Sequence, residues 1–202
     1  RFAESVYASA LGEPTPEDGY AGEYIADVAA AVVAARPDSL GLPRDEAIAV
    51  FGQLGYEQML AAMKSDLEGF RVRFDVWFSE TSLHESGAVE HAVAVLREQG
   101  HVFESEGAVW LRTTDFGDDK DRVMTRSNGE PTYFAADAAY YINKRERGFD
   151  RCVYMLGADH HGYVGRLKAI ASCAGDDAET NIEVMIGQLV KLMRDVEEVR
   201  LS

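Results

Sequence analysis

Apolar residues recur at helical spacing through the first third of the chain, then alternate briefly, then gather into short unbroken runs. FAESVYASALG places Phe2, Val6 and Ala10 on one stripe and predicts a helix stopped by Gly12. GEYIADVAAAVVAARP predicts a second helix closed before Pro37, and a third begins near Pro43 and continues, with a wobble at Gly52 and Gly55, through YEQMLAAMKSDLEGF. In FDVWFSE the period changes: Phe74, Val76 and Phe78 alternate with Asp75, Trp77 and Ser79, the pattern of a half-buried strand. SLHE has the spacing of a capping box, and Ala88–Gln99 predicts a helix ended by Gly100. A hairpin should turn at Glu106-Gly107 and a second at Asn128-Gly129. Phe134–Arg147 reads as helix, CVYMLG as a short strand buried on both faces, Gly162–Ala174 as helix, and NIEVMIGQLVKLMRD as one or two strands. The order is helices, then mixed hairpins, then strand–helix–strand, so the last third has the make-up of half a doubly wound parallel α/β sheet.

Composition narrows the function. The 202 residues suffice for one good-sized domain, or a domain with an insertion, and 47% hydrophobic content suits a packed core. A net charge of −15 argues against gripping nucleic acid unaided, because phosphate contacts need clustered Lys and Arg. No apolar run is long enough to span a membrane and no signal-peptide pattern opens the chain, which points to a cytoplasmic setting. Cys152 and Cys173 lie apart without metal-ligand spacing and read as two buried thiols. The chain starts without Met inside a helical pattern and finishes just into a strand, so it is expected to be part of a longer protein.

Ligands of doubly wound sheets bind beyond the carboxyl ends of the strands, and Gly157–His161 occupies that place after CVYML. Gly157 permits close backbone approach, Asp159 can accept from a ribose hydroxyl or an ammonium, and the following helix start offers N–H groups to an anion. Asp159, His160 and His161 also admit a metal reading as a DHH triplet of the kind found in metal-dependent phosphoesterases, with Asp115, Asp118, Asp119 and Asp121 as further ligands. Adjacent residues at a helix start do not readily converge on one ion, and the expected metal complement is none. His161 can equally be a hydrogen-bonded structural histidine. PTYFAADAAYY places Tyr133 and Asp137 at i, i+4 on one helix face. A carboxylate among alanines needs a cationic partner, either an internal Arg or Lys or a substrate guanidinium or ammonium, and both stay open. DFGDDKDR reads as a solvated charged loop, with Lys120 as a lesser candidate for a phosphate contact.

Four collinear blocks then carry a resemblance: GYAGEYIADVA, MKSDLEGFRVRFDVWFSETSL, GAVWLRTTDFGDDKDRVMTRSNGEPTYFAADAAY and RGFDRCVYMLGADHHGYVGRLKA. Together they resemble bacterial arginyl-tRNA synthetases across nearly the whole chain. The resemblance implies a class I synthetase: a Rossmann-type α/β catalytic domain split by a mixed α+β connective insertion, with an anticodon-binding helical domain behind it. Residues 1–116 would lead from a catalytic-domain helix into the insertion, and residues 117–202 would form the second half of the Rossmann-type domain. It implies activation of L-arginine with ATP and Mg²⁺, then transfer to tRNA(Arg), itself held mainly by domains outside this chain. Tyr133 and Asp137 would read the arginine side chain, while Asp159 and His160 line the pocket near its amino group. Gly157, Asp159 and His161 would face ATP. Arg200, Leu201 and Ser202 match the start of the mobile Lys-Met-Ser-Lys-Ser loop that holds the ATP phosphates.

Two motifs of that pattern lie outside the sequence: the His-x-Gly-His signature and the second basic residue of the mobile loop. This chain alone is therefore not expected to form arginyl-adenylate. A non-catalytic synthetase-like module that binds arginine or a partner, and the metal-dependent phosphoesterase, are the alternatives.

Overall fold

The computed structural model describes residues 1–188, 190–195 and 197–199. They form two compact units that divide between Val76 and Trp77.

The first unit is helical: α1 (Phe2–Leu11), α2 (Glu23–Ala35) and α3 (Arg44–Gly69). Val6, Tyr7, Ile25, Val28, Ala29, Val32, Ala47 and Phe51 make its core, with Phe2 and Ala10 packed against it, as the stripe on α1 requires. Gly12 ends α1 in the left-handed conformation, its N–H and that of Glu13 satisfying the last carbonyls. The predicted wobble at Gly52 and Gly55 is instead unbroken helix. A Cβ at Gly52 would stand 3.0 Å from the Ala3 side chain, and one at Gly55 would stand 3.2 Å from both Phe2 and Val28. These glycines let α1 and α2 lie close on α3.

Residues 74–80, expected as a strand, run across the boundary between the units and belong to no sheet, and Phe74 and Val76 are exposed. Alternation marks which side chains share a face, but a strand also needs a neighbour to take its N–H and C=O groups. SLHE is likewise no capping box: it lies inside α4 (Thr81–Glu85), where the Ser82 hydroxyl donates back to the Ser79 carbonyl. Next come α5 (Ala88–Glu98), β1 (Val102–Ser105), β2 (Ala108–Leu111) and β3 (Arg122–Thr125), and the three strands form an antiparallel sheet. The first hairpin turns where expected, with φ +52° at Glu106 and +75° at Gly107, the signature of a two-residue primed turn. At the second, the Gly129 N–H bonds to the Arg126 carbonyl and Gly129 takes φ +84°. The returning chain makes only a single bridge, Thr125 to Pro131.

The chain then enters α6 (Tyr133–Glu146), β4 (Cys152–Gly157), a 3₁₀ segment at Ala158–Tyr163, α7 (Val164–Cys173) and β5 (Ile182–Gly187). β4 and β5 pair in parallel from Cys152↔Ile182 to Gly157↔Gly187, the expected strand–helix–strand unit. β6 (Leu192–Arg194) and β7 (Glu197–Val199) make a separate antiparallel pair. β4 is not buried on both faces: Cys152 is covered, but Val153 is 51% exposed and Met155 80%. The core of the second unit joins Leu83, Leu96, Leu111, Met124, the α6 alanines, Tyr141, Ile170 and Cys173, so it draws on residues either side of position 116. Cys152 and Cys173 are free buried thiols, and burial pushes the Cys173 thiol up to about 12. Among the described residues no helix is long and apolar enough to cross a membrane.

Candidate functional site

α6 is built to hold its first two turns in place. Thr132 caps it: the hydroxyl accepts from the Ala135 N–H at 3.3 Å and donates to the Val123 carbonyl at 2.7 Å. The Thr132 N–H reaches the Met124 carbonyl, so the helix start is fixed to β3 from both sides of the residue. Ala135, Ala136, Ala138 and Ala139 let the helix sink against its neighbours. At the far end Asp176 accepts from Arg145 Nε at 2.8 Å, Arg145 Nη2 at 3.0 Å and the Tyr141 hydroxyl at 2.7 Å.

On this fixed helix Tyr133 and Asp137 line two adjoining cavities that share Ala136, each of about 270 Å³. Tyr133 is almost fully exposed and faces a cavity with His84, Arg126, Pro131 and Thr132. Asp137 is half-buried and faces a cavity with Phe78, Glu80, Leu83 and Tyr140. The rings of Phe78 and Tyr140 stack at 4.7 Å and 18°, so two aromatic faces and two carboxylates converge there. Burial, reinforced by the like charge of Glu80, pushes the Asp137 carboxyl up to about 6, against the pull of Lys144 and Arg166. Among the described residues no cation stands within ion-pair distance of Asp137. Two carboxylates beside flat rings, without a resident counter-ion, can hold a planar cation between charge and π-faces.

Gly157–His161 lies elsewhere, at the carboxyl end of β4, where Gly157 pairs with Gly187 and leaves two neighbouring strand ends without side chains. A Cβ at Gly157 would come within 2.6 Å of Asp159 Oδ1. Asp159 is exposed and pairs with His160 Nε2 at 3.4 Å, while the His160 ring meets Tyr163 edge-on at 5.6 Å. His161 is exposed. The 3₁₀ segment delays the helix predicted from Gly162 until Val164. Arg200, Leu201 and Ser202 lie outside the described residues.

Three of the four aspartates offered by the metal reading, Asp118, Asp119 and Asp121, have other partners. Asp121 accepts from the Thr114 N–H and hydroxyl, and Arg122 bridges Asp118 and Asp119. The Asp118 side chain is only 5% exposed, and its bonds to Arg122, Asp119 and Thr113 hold it well below the usual carboxylate range despite the opposing cost of burial. DFGDDKDR is thus a partly buried ion-pair turn rather than a freely solvated loop. Among the described residues no three His, Cys, Asp or Glu side chains group as a metal site would need.

The sequence reading passed over Phe78, Glu80, Tyr140 and Lys144. Tyr140 and Lys144 follow Asp137 at i+3 and i+7, on its own side of the helix, and extending the helical spacing would have found them. Phe78 and Glu80 approach only through the fold.

A sequence profile of class I tRNA synthetases (R), catalytic domain, matches residues 53–194. The arginine–tRNA ligase of Frankia alni is 58% identical over all 202 residues, which span 37% of that protein. That of Pseudarthrobacter chlorophenolicus is 61% identical over 95% of the chain and 34% of its own length. A crystal structure assigned as an arginyl tRNA synthetase from Campylobacter jejuni superposes with a TM-score of 0.86 at 34% identity, covering 99% of this chain and 44% of that one. The chain therefore spans little more than a third of the curated relatives it matches.

Proposed function

Because the chain belongs to the class I tRNA synthetase (R) catalytic-domain family, we propose that it is the arginine-reading portion of an arginine–tRNA ligase. The longer protein activates L-arginine with ATP and transfers it to tRNA(Arg). The observation that carries this reading is the pairing of Asp137 and Glu80 in one aromatic-walled cavity, with no ion pair to either among the described residues. A guanidinium entering there meets two carboxylates and the Phe78–Tyr140 stack, and its charge draws the Asp137 proton away. Citrulline, isosteric but neutral, leaves both carboxylates unpaired (about 3–5 kcal/mol for breaking a buried pair, less toward the solvent-facing Glu80). Lysine brings a point charge that cannot fill the planar fork. Tyr133 closes the outer side of the same helix face.

In this reading residues 1–116 lead from the catalytic domain into the connective insertion, and 117–202 supply the second half of a Rossmann-type domain. The assigned site residues fall in the latter, apart from Phe78 and Glu80. The exposed face of β4, with Val153 and Met155, supports further covering structure in the longer protein, as parallel strands are ordinarily buried on both faces. Asp159 and His160 bind the arginine amino end. Gly157, Asp159 and His161, beside the bare Gly157–Gly187 strand ends, admit ATP, and Arg200–Ser202 begin the loop over its phosphates. Mg²⁺ carried by the ATP phosphates would neutralise their charge.

The reaction needs no side-chain nucleophile. The arginine carboxylate attacks the α-phosphate, the bond to the β-phosphate oxygen breaks and pyrophosphate leaves, and these residues supply orientation and charge complementarity. The net charge of −15 accords with tRNA being held elsewhere. Arginine-dependent ATP–pyrophosphate exchange by the longer protein, with tRNA present, tests the reading. Exchange that is lost with Asp137→Ala supports it. A folded longer protein without exchange would make the chain a non-catalytic relative.

A further inference from the structure

Lys144 lies two helical turns beyond Asp137 on α6. Its ammonium stands 3.6 Å from the centre of the Tyr140 ring and 3.8 Å from that of Tyr154. Tyr140 stacks on Phe78, and the Arg147 guanidinium lies over Phe78 at 5.6 Å, so cations pack against the two rings that line the cavity. Among the described residues no carboxylate stands within ion-pair distance of Lys144. The ring faces hold the half-buried ammonium without neutralising its charge, which stays available to act at longer range.

We propose that Lys144 is a positioning residue for the Asp137 pocket, supplying from beside the Tyr140 ring the internal positive charge that holds Asp137 as a carboxylate without filling the guanidinium's place. The groups that act on Asp137 are Glu80 just before α4, Lys144 from its own helix, Arg166 from α7 and the buried Tyr154 hydroxyl from β4. Lys144 and Arg166 favour the ionised form. Glu80 opposes it and burial opposes it more. Lys144 is itself held down at about 8 by burial, with Arg147 adding to the effect and Cys152 and Asp137 opposing it, so it keeps its charge over the range in which Asp137 titrates.

Removing that charge has two opposed effects, and this makes the role separable from mere packing. Asp137 takes up its proton at a higher pH, so a cationic ligand is lost sooner on acidification. Above that range the pocket is more negative, so the same ligand binds no worse. Profiles of affinity against pH should cross. The ligand half of the inference rests on the guanidinium reading; the Asp137 half does not.

The test is the carboxyl titration of Asp137 by ¹³C NMR in the unliganded longer protein, as wild type, Lys144→Met and Lys144→Arg, followed by arginine affinity across the same pH range. The Asp137 midpoint should rise by about half a pH unit in Lys144→Met, from the Coulomb energy of charges two helical turns apart. It should stay in place in Lys144→Arg. If Lys144→Met does not fold, Lys144→Gln is measured instead. An unmoved midpoint in a folded neutral variant, or an equal rise in Lys144→Arg, overturns the inference. A rise in a protein that binds no arginine upholds Lys144 and overturns the guanidinium reading.

Discussion

Asp137→Asn should make the protein more stable while removing what the pocket is for. The carboxyl ordinarily titrates near 3.8 and is held at about 6 in the fold, first by burial and then by Glu80. For a fully buried group that rise corresponds to roughly 3 kcal/mol. Asp137 is only half-buried, and solvent screening reduces this to about 1–2 kcal/mol. The sign follows from proton binding. Above pH 6 the folded state carries a charge it disfavours, so the cost is fully present. Between about pH 6 and 3.8 the folded state takes up a proton that the unfolded chain does not, and the cost fades. Asparagine never bears the charge. The variant should therefore exceed wild type by about 1–2 kcal/mol at pH 7–8, and the gap should close toward pH 4. Urea unfolding followed by tryptophan fluorescence reports on the right unit, since Trp77 and Trp110 both lie in it. A variant less stable than wild type at pH 8, or a gap that does not change with pH, would refute the electrostatic account of the site.

Asp176→Ala leaves the Arg145 guanidinium and the Tyr141 hydroxyl without their shared acceptor, and should cost about 2–4 kcal/mol in urea unfolding. Gly107→Val puts a β-branched residue at φ +75° and should lower stability by about 1 kcal/mol or more, read as a fall in the thermal midpoint. Gly157→Ala must displace the Asp159 carboxylate from a 2.6 Å contact. Stability should hold within about 0.5 kcal/mol because that carboxylate is free to move, while the KM for ATP in the longer protein should rise.

The helical unit was legible because each helix carries its own stripe and stop. The hairpin at Glu106-Gly107 was legible because only a primed turn suits that spacing. FDVWFSE was not, since its alternation says nothing of whether a partner strand exists. CVYMLG was correctly a strand, but its apolar run could not reveal that Val153 and Met155 stand uncovered in this chain. Among the candidate site residues, Tyr133 and Asp137 were found from one helix face. Glu80 was not, because it reaches the cavity from a segment far off in the sequence, and a glutamate before SLHE looks like any solvated acid. The DFGDDKDR turn misled in the other direction: its density of charge suggested solvent, whereas Arg122 draws Asp118 out of it.

The most direct test of the guanidinium pocket is calorimetric titration of the wild-type longer protein and its Asp137→Asn variant with arginine and with citrulline. Wild type should bind arginine and discriminate against citrulline by a hundredfold or more (about 3 kcal/mol). Asp137→Asn should lose most of that discrimination by weakening arginine. If the folded variant binds arginine as tightly as wild type, Asp137 does not read the guanidinium and the central claim fails.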